Sequence, residues 1–127
     1  MKRWFKIGSL IFIGFILIVT GLLIWMVQGQ EEILSYEIGE IDLSEVSDGV
    51  YVGSFDQGRW KNQVEVTVEN HEIIDIKVIK TVLFERKEIT QEVILQVINH
   101  QSLDVDVEAG TTITVNAYLI SIRKALD

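Results

Sequence analysis

The stretch Val-Asp-Val-Glu-Ala-Gly-Thr-Thr-Ile-Thr, residues 105–114, sets a glycine and three threonines directly before a segment with helical apolar spacing. The first backbone N–H groups of a helix have no partner within it and carry partial positive charge. One hydroxyl is enough to cap them, and Thr112 or Thr114 would serve as an N-cap. Gly110, Thr111, Thr112 and Thr114 together supply more than one cap requires. Gly110 also lets the backbone turn tightly or come close to a bound group. Glycine, hydroxyls and a helix N-terminus make an anion site, most often for phosphate. From the residues alone, a helix cap and a phosphate cradle both stand.

The elements that position this stretch are legible from periodicity. TVNAYLISIRKAL, residues 114–126, brings Val115, Leu119, Ile122 and Leu126 to one face of a helix. An earlier helix, starting after Phe84 and ending around 99–102, aligns Ile89, Val93, Ile94, Val97 and Ile98. Upstream the period is two. VYVGSF alternates as a strand does, NQVEVTVEN sets Val64, Val66 and Val68 on one face, and EIIDIKVIK repeats the pattern through Ile74, Ile76 and Val78. Asn70-His71 between the last two is a tight-turn pair, which makes a β-hairpin and His71 a turn residue. The expected class is α+β: an antiparallel sheet with a β-hairpin, covered by two amphipathic helices, over residues 48–127. Residues 28–47 look like an acidic stalk. Their apolar positions alternate loosely (Leu34, Tyr36, Ile38, Ile41, Leu43), as in a short strand or an extended spacer.

Ahead of the stalk, residues 7–27 carry no charge. A helix of roughly 20 residues crosses a bilayer core. Lys2, Arg3 and Lys6 precede the run while Glu31 and Glu32 follow it, which predicts a cytoplasmic basic tail at 1–6 and an extracytoplasmic remainder. A cleaved secretory signal is the competing reading. Its apolar region is usually about 7–15 residues and ends in a small-x-small site. This run is longer and ends in Trp25-Met26-Val27-Gln28, so the expectation is an uncleaved single-pass anchor in the cell membrane. With no cysteine in the chain, a lipoprotein anchor is excluded.

All 19 acidic residues follow the span but only 8 of the 11 basic ones do, so residues 28–127 carry a formal charge of −11. Such a surface repels phosphate backbones, and nucleic acid is not an expected partner. His71 and His100 lie in different segments without ligand-spaced partners, so no transition-metal site is expected. The carboxylates are scattered over strand and stalk exteriors, without a paired acid and base. The domain is not expected to be an enzyme by itself.

The glycine–threonine stretch resembles the flavinylation motif of the FMN-binding domain family, D-x-x-[ST]-G-A-T. That family includes the C subunit of the sodium-pumping NADH:quinone reductase and the G subunit of the Rnf complex. Asp106, Gly110 and Thr112 match the motif's Asp, Gly and final Thr, and Ile113, Thr114, Asn116 and Ala117 match the run that follows it. DGVYVGSF resembles the family's opening D-G-x-Y-x-G through Asp48, Gly49, Tyr51 and Gly53. The resemblance covers about residues 48–127. Ala109 stands where Ser or Thr is usual, Thr111 where Ala is usual, and Val115 where Ser is common.

The resemblance implies that a separate flavin transferase uses FAD to esterify the phosphate of FMN to Thr112. Asp106 then belongs to the element the transferase recognises or braces the loop. The negative phosphodiester would be stabilised by the helix N-terminus, with Gly110, Thr111 and Thr114 beside it. A covalent link also prevents dilution of the cofactor outside the cell. On this reading the chain is an extracytoplasmic electron-transfer flavoprotein held in the lipid bilayer, exchanging electrons with a membrane or extracellular redox partner. Tyr51, Phe55, Trp60 and Tyr118 could flank the flavin ring, or form the core. Two other classes stay open. One is a membrane-anchored interaction or sensory module of the same fold that binds FMN weakly or not at all. The other is an accessory subunit of a larger membrane complex.

The charge asymmetry around residues 7–27 generates a direct test. Protease added to intact cells or protoplasts should digest residues 28–127. Protection until the membrane is permeabilised would put the domain on the cytoplasmic side.

Overall fold

The structure, a computed structural model, describes residues 1–105, 107 and 112–127. The uncharged apolar run lies within one helix, α1 (Lys2–Val27), none of whose residues is buried by the rest of the chain. At about 1.5 Å per residue it is roughly 39 Å long, and it is long and apolar enough to cross a membrane. The chain turns at Gly29, whose φ of 87° lies in the left-handed region, and enters α2 (Gln30–Ser35).

The start of the acidic segment forms this short helix in place of a strand, residues 36–42 continue without regular structure, and the segment attaches to the domain. Ile33 is completely buried, and Tyr36, Ile38, Ile41 and Leu43 pack against the core. Of the side chains that alternate loosely along the segment, Tyr36, Ile38, Ile41 and Leu43 help attach it, whereas Leu34 is exposed and its neighbour Ile33 is the buried one. The carboxylates stay in solvent. A short 3₁₀ turn, Leu43–Glu45, follows, capped by Asp42, which accepts from the Ser44 N–H at 3.1 Å.

Three antiparallel strands come next, β1 (Gly49–Phe55), β2 (Asn62–Glu69) and β3 (Glu72–Lys80), in the order β1-β2-β3. Asn70 and His71 join β2 to β3 with φ of 53° and 62°. Positive φ at both central residues is the type I′ geometry, whose twist matches that of a hairpin. The turn is tied to the segment before β1. Asp48 Oδ1 accepts from the Asn70 N–H at 2.9 Å, and His71 Nδ1 lies 3.1 Å from the carbonyl oxygens of both Leu43 and Val46.

Register places Tyr51, Gly53 and Phe55 of β1 beside Val66, Val64 and Asn62 of β2, and Val64, Val66 and Val68 beside Val78, Ile76 and Ile73 of β3. The three valines are buried, Val66 completely. Val50, Val52, Ile74 and Ile79 remain exposed on the sheet. Two helices complete the chain, α3 (Lys87–His100) and α4 (Thr112–Leu126). α3 buries Ile89, Val93 and Val97 against β3 and α4. Its end is clipped to the sheet by Gln101, whose Oε1 accepts from the Ile73 N–H at 2.7 Å and whose Nε2 donates to the Ile73 carbonyl at 2.9 Å.

α4 lies across β1 and β2 and also meets α2 and α3. Its contact with the sheet is unusually close. A Cβ added to Gly53 would overlap the Ser121 carbonyl and lie 2.5 Å from the Ala125 amide nitrogen. Ala117, Ser121 and Ala125 recur every four residues, a small-residue stripe on one face of α4. All three are buried.

Gly53→Ala should therefore destabilise the chain by about 1–3 kcal/mol through overpacking. Val66→Asp, which buries an unpaired carboxylate, should cost several kcal/mol, on the order of 3–5. Chemical denaturation of the full chain in detergent measures both. Wild-type stability for Gly53→Ala would refute the close helix–sheet contact, and for Val66→Asp the strand register.

Candidate functional site

α4 is held by polar groups as well as by packing, and these fix where its first residue stands. Asn62, 2% exposed at the start of β2, donates from Nδ2 to the Trp60 carbonyl at 2.9 Å and to the Ala117 carbonyl at 3.2 Å. The Ser121 hydroxyl donates to Asn62 Oδ1. Buried amide and hydroxyl thus satisfy each other and the helix backbone. One turn away, the Tyr118 hydroxyl accepts from the Val82 N–H at 3.2 Å and lies 3.3 Å from Thr90 Oγ1 of α3. Burial pushes the Tyr118 phenol above its ordinary pKa, against the opposing effect of the Thr90 and Val82 hydrogen bonds.

These contacts give α4 a direction. Its early residue Ala117 meets Asn62, at the end of the sheet where β1 passes to β2. Its last residue, Leu126, and the following Asp127 border the same cleft as Glu40, Asp42 and Val46, near the opposite end. The N-terminus of α4 therefore points toward the end that carries the β1–β2 connection. That connection includes a 3₁₀ turn, Gly58–Trp60, which adjoins α1.

Thr112 is the first residue of α4 and is exposed, while Val115, one turn later, is buried. Thr114 sits part-buried in the first turn and is engaged in an interaction of its own. Asp106, Gly110 and Thr111 lie outside the described residues. No carboxylate occupies the first turn of α4, whereas Arg123 and Lys124 lie in its last. Both ends thus agree with the helix dipole, and its positive end is not neutralised by an acidic side chain within that turn. An exposed hydroxyl on that turn fits a phosphoester: Oγ1 is reachable by another enzyme, and the resulting anion would sit where helix N–H groups favour it.

The residues of the opening motif are not brought to this site. Asp48 holds the hairpin turn, the Tyr51 hydroxyl donates to the Ser47 carbonyl at 2.6 Å, and Gly53 makes room for α4. Phe55, Trp60 and Tyr118 are buried in the core. The sequence reading missed Asn62 and Ser121, although each is a polar residue at an apolar-facing position of its element, and that mismatch is the available signal. Among the described residues no group of three or more His, Cys, Asp or Glu side chains could hold a metal ion. Compared with known proteins, the sequence matches no family model, and no curated protein matches it.

Tyr118→Phe should leave the Val82 N–H without its acceptor and cost about 1–3 kcal/mol. Wild type should also lose stability as pH rises past the usual tyrosine value of about 10, since the folded state holds the phenolic proton more tightly than the unfolded one. Unfolding followed from neutral to alkaline pH checks both. A variant with the same alkaline loss as wild type would show that Tyr118 is not its source.

Proposed function

We propose that this chain is a single-pass, extracytoplasmic electron-transfer flavoprotein domain, with FMN joined through its phosphate to Thr112. The observation that carries this reading is an exposed threonine hydroxyl on the first turn of α4, free of carboxylates, within a stretch that resembles a flavinylation motif. Thr112 Oγ1 would attack the FMN-side phosphorus of FAD, its proton leaving to a base of the transferase. The new P–O bond replaces the pyrophosphate P–O bond, and AMP departs. The helix N-terminus then stabilises the single remaining negative charge of the phosphodiester. Bound flavin supplies one- and two-electron chemistry, and the protein supplies location.

The direction of α4 supports the same reading. A group on Thr112 would stand at the end of the domain that adjoins α1, and therefore close to the outer face of the membrane that α1 would cross. A carrier of electrons to or from a membrane oxidoreductase needs that placement, because electron transfer falls off steeply with distance. With its N-terminus in the cytoplasm, the chain would hold the flavin outside the cell.

The chain produced with a flavin transferase should stay yellow and fluorescent through denaturation. Thr112→Ala should abolish that signal, and Thr112→Ser should keep part of it. Thr111→Ala, which installs the residue usual in the motif, should retain or raise it. Loss in Thr111→Ala with retention in Thr112→Ala would move the attachment by one residue. Absence of covalent flavin from the wild-type chain would overturn the carrier reading and return the threonines to helix capping.

A further inference from the structure

α1 and the domain meet without slack. Gly29, just beyond α1, and Gly58, in the β1–β2 connection, both have left-handed φ, of 87° and 54°. A Cβ on Gly29 would come within 2.6 Å of Gln57 Cβ, and one on Gly58 would overlap the Gln28 carbonyl. The outer end of α1 is thus seated on this connection. Beside the joint is an open cleft of about 450 Å³, bounded by Trp25 of α1 and by Arg59, Lys61, Leu83 and Phe84 of the domain.

The loop between β3 and α3 presents apolar side chains here. Leu83 is half exposed and Phe84 is 69% exposed. Phe84 also has φ of 61°, a conformation that a bulky residue rarely adopts and that costs energy to hold. The loop is pinned from behind by the Leu83 N–H, which donates to the Arg59 carbonyl at 2.9 Å. Basic residues concentrate in this region, with Lys61 paired to Asp56 at 3.2 Å. Five of the eight basic residues after the span (Arg59, Lys61, Lys80, Arg86, Lys87) fall within 59–61 and 80–87, with Glu85 the one acidic residue there. Arg59 stacks its guanidinium 4.5 Å from the Trp60 ring centre, and its Nε, although buried, has no hydrogen-bond partner.

The geometry points to a lipid-docking surface: Leu83 and Phe84 enter the headgroup–acyl boundary of the outer leaflet, while Arg59 and neighbouring basic side chains meet the phosphates of anionic phospholipid. This rests on α1 spanning the bilayer, as proposed above. A tryptophan at the end of a span sits at headgroup depth, so side chains sharing its cleft lie at that depth too. Exposed apolar residues flanked by cations match the two components of such a surface, and a protein partner would need none of this coincidence with Trp25.

The absence of native cysteine makes depth directly measurable. Full-length chains carrying single substitutions Leu83→Cys, Phe84→Cys, Glu72→Cys or Ile16→Cys are spin-labelled and placed in phosphatidylglycerol–phosphatidylcholine nanodiscs. Collision rates with oxygen and with a water-soluble nickel chelate then report depth. Labels at 83 and 84, each in a chain that keeps the other apolar residue, should favour oxygen over nickel several-fold. The label at 72, at the far end of the sheet, should favour nickel, and that at 16 should lie deepest. Labels at 83 and 84 as aqueous as that at 72, with 16 deep, would overturn the docking surface and leave the span intact. An aqueous label at 16 would overturn the span, and the docking surface with it.

Discussion

The close approach of α4 to β1 over Gly53 is the constraint on which the other contacts depend. A helix packed on a sheet is normally held off it by interleaved side chains. Here a strand position without a side chain faces the Ala117–Ser121–Ala125 stripe, so helix backbone rests almost on strand backbone. Large apolar side chains are given up at that contact. What replaces them is reach: Asn62 can bond to a helix carbonyl and a helix hydroxyl at once, an arrangement that a thicker layer would forbid. With α4 set this low, Tyr118 extends sideways to Val82 and Thr90, and α3 is placed in turn. α2 then closes the remaining side.

How much of this was legible differs by element, for physical reasons. A regularly paired strand with one buried face repeats every two residues, so Val64, Val66 and Val68 announce their side, and Asn70-His71 announces the turn. In β3 the register shift beside Thr67 and Val68 breaks the period, and Ile73 is buried in place of the expected Ile74. α3 likewise has one buried face, and its period reveals it. α4 is harder. Periodicity assigns it a single face through Val115, Leu119, Ile122 and Leu126, yet Tyr118, Ile120 and Ser121 are buried as well. The additional partner is α2, which comes from a segment whose acidic composition resembles a solvated spacer. Composition averages over a segment, whereas attachment depends on a few inward-turned side chains, Ile33 above all, and no average contains that information.

The site divides along a similar line. Crowded hydroxyls and a following helical pattern locate Thr112 at a helix start. Its exposure depends on how far α4 extends beyond the sheet, which follows from the Asn62 and Gly53 contacts in three dimensions. Asp48, Tyr51 and Gly53 look in sequence like one motif belonging to one site. In space they do three unrelated mechanical tasks, bracing a turn, anchoring a loop and admitting a helix. A short pattern held in a sequence can thus mark a way of folding rather than a place of chemistry, and only the glycine–threonine stretch keeps a chemical reading.

Gln101 has a further effect through its two bonds to Ile73. β3 is an edge strand, and an uncovered edge offers donors and acceptors to any extended chain that drifts alongside. The side-chain amide, with one acceptor and two donors, imitates the backbone of such a visitor and occupies both groups of Ile73. A newcomer pairing there must first break two hydrogen bonds before forming any. This built-in decoy discourages neighbouring molecules from stacking into ribbons at the hairpin end of that edge.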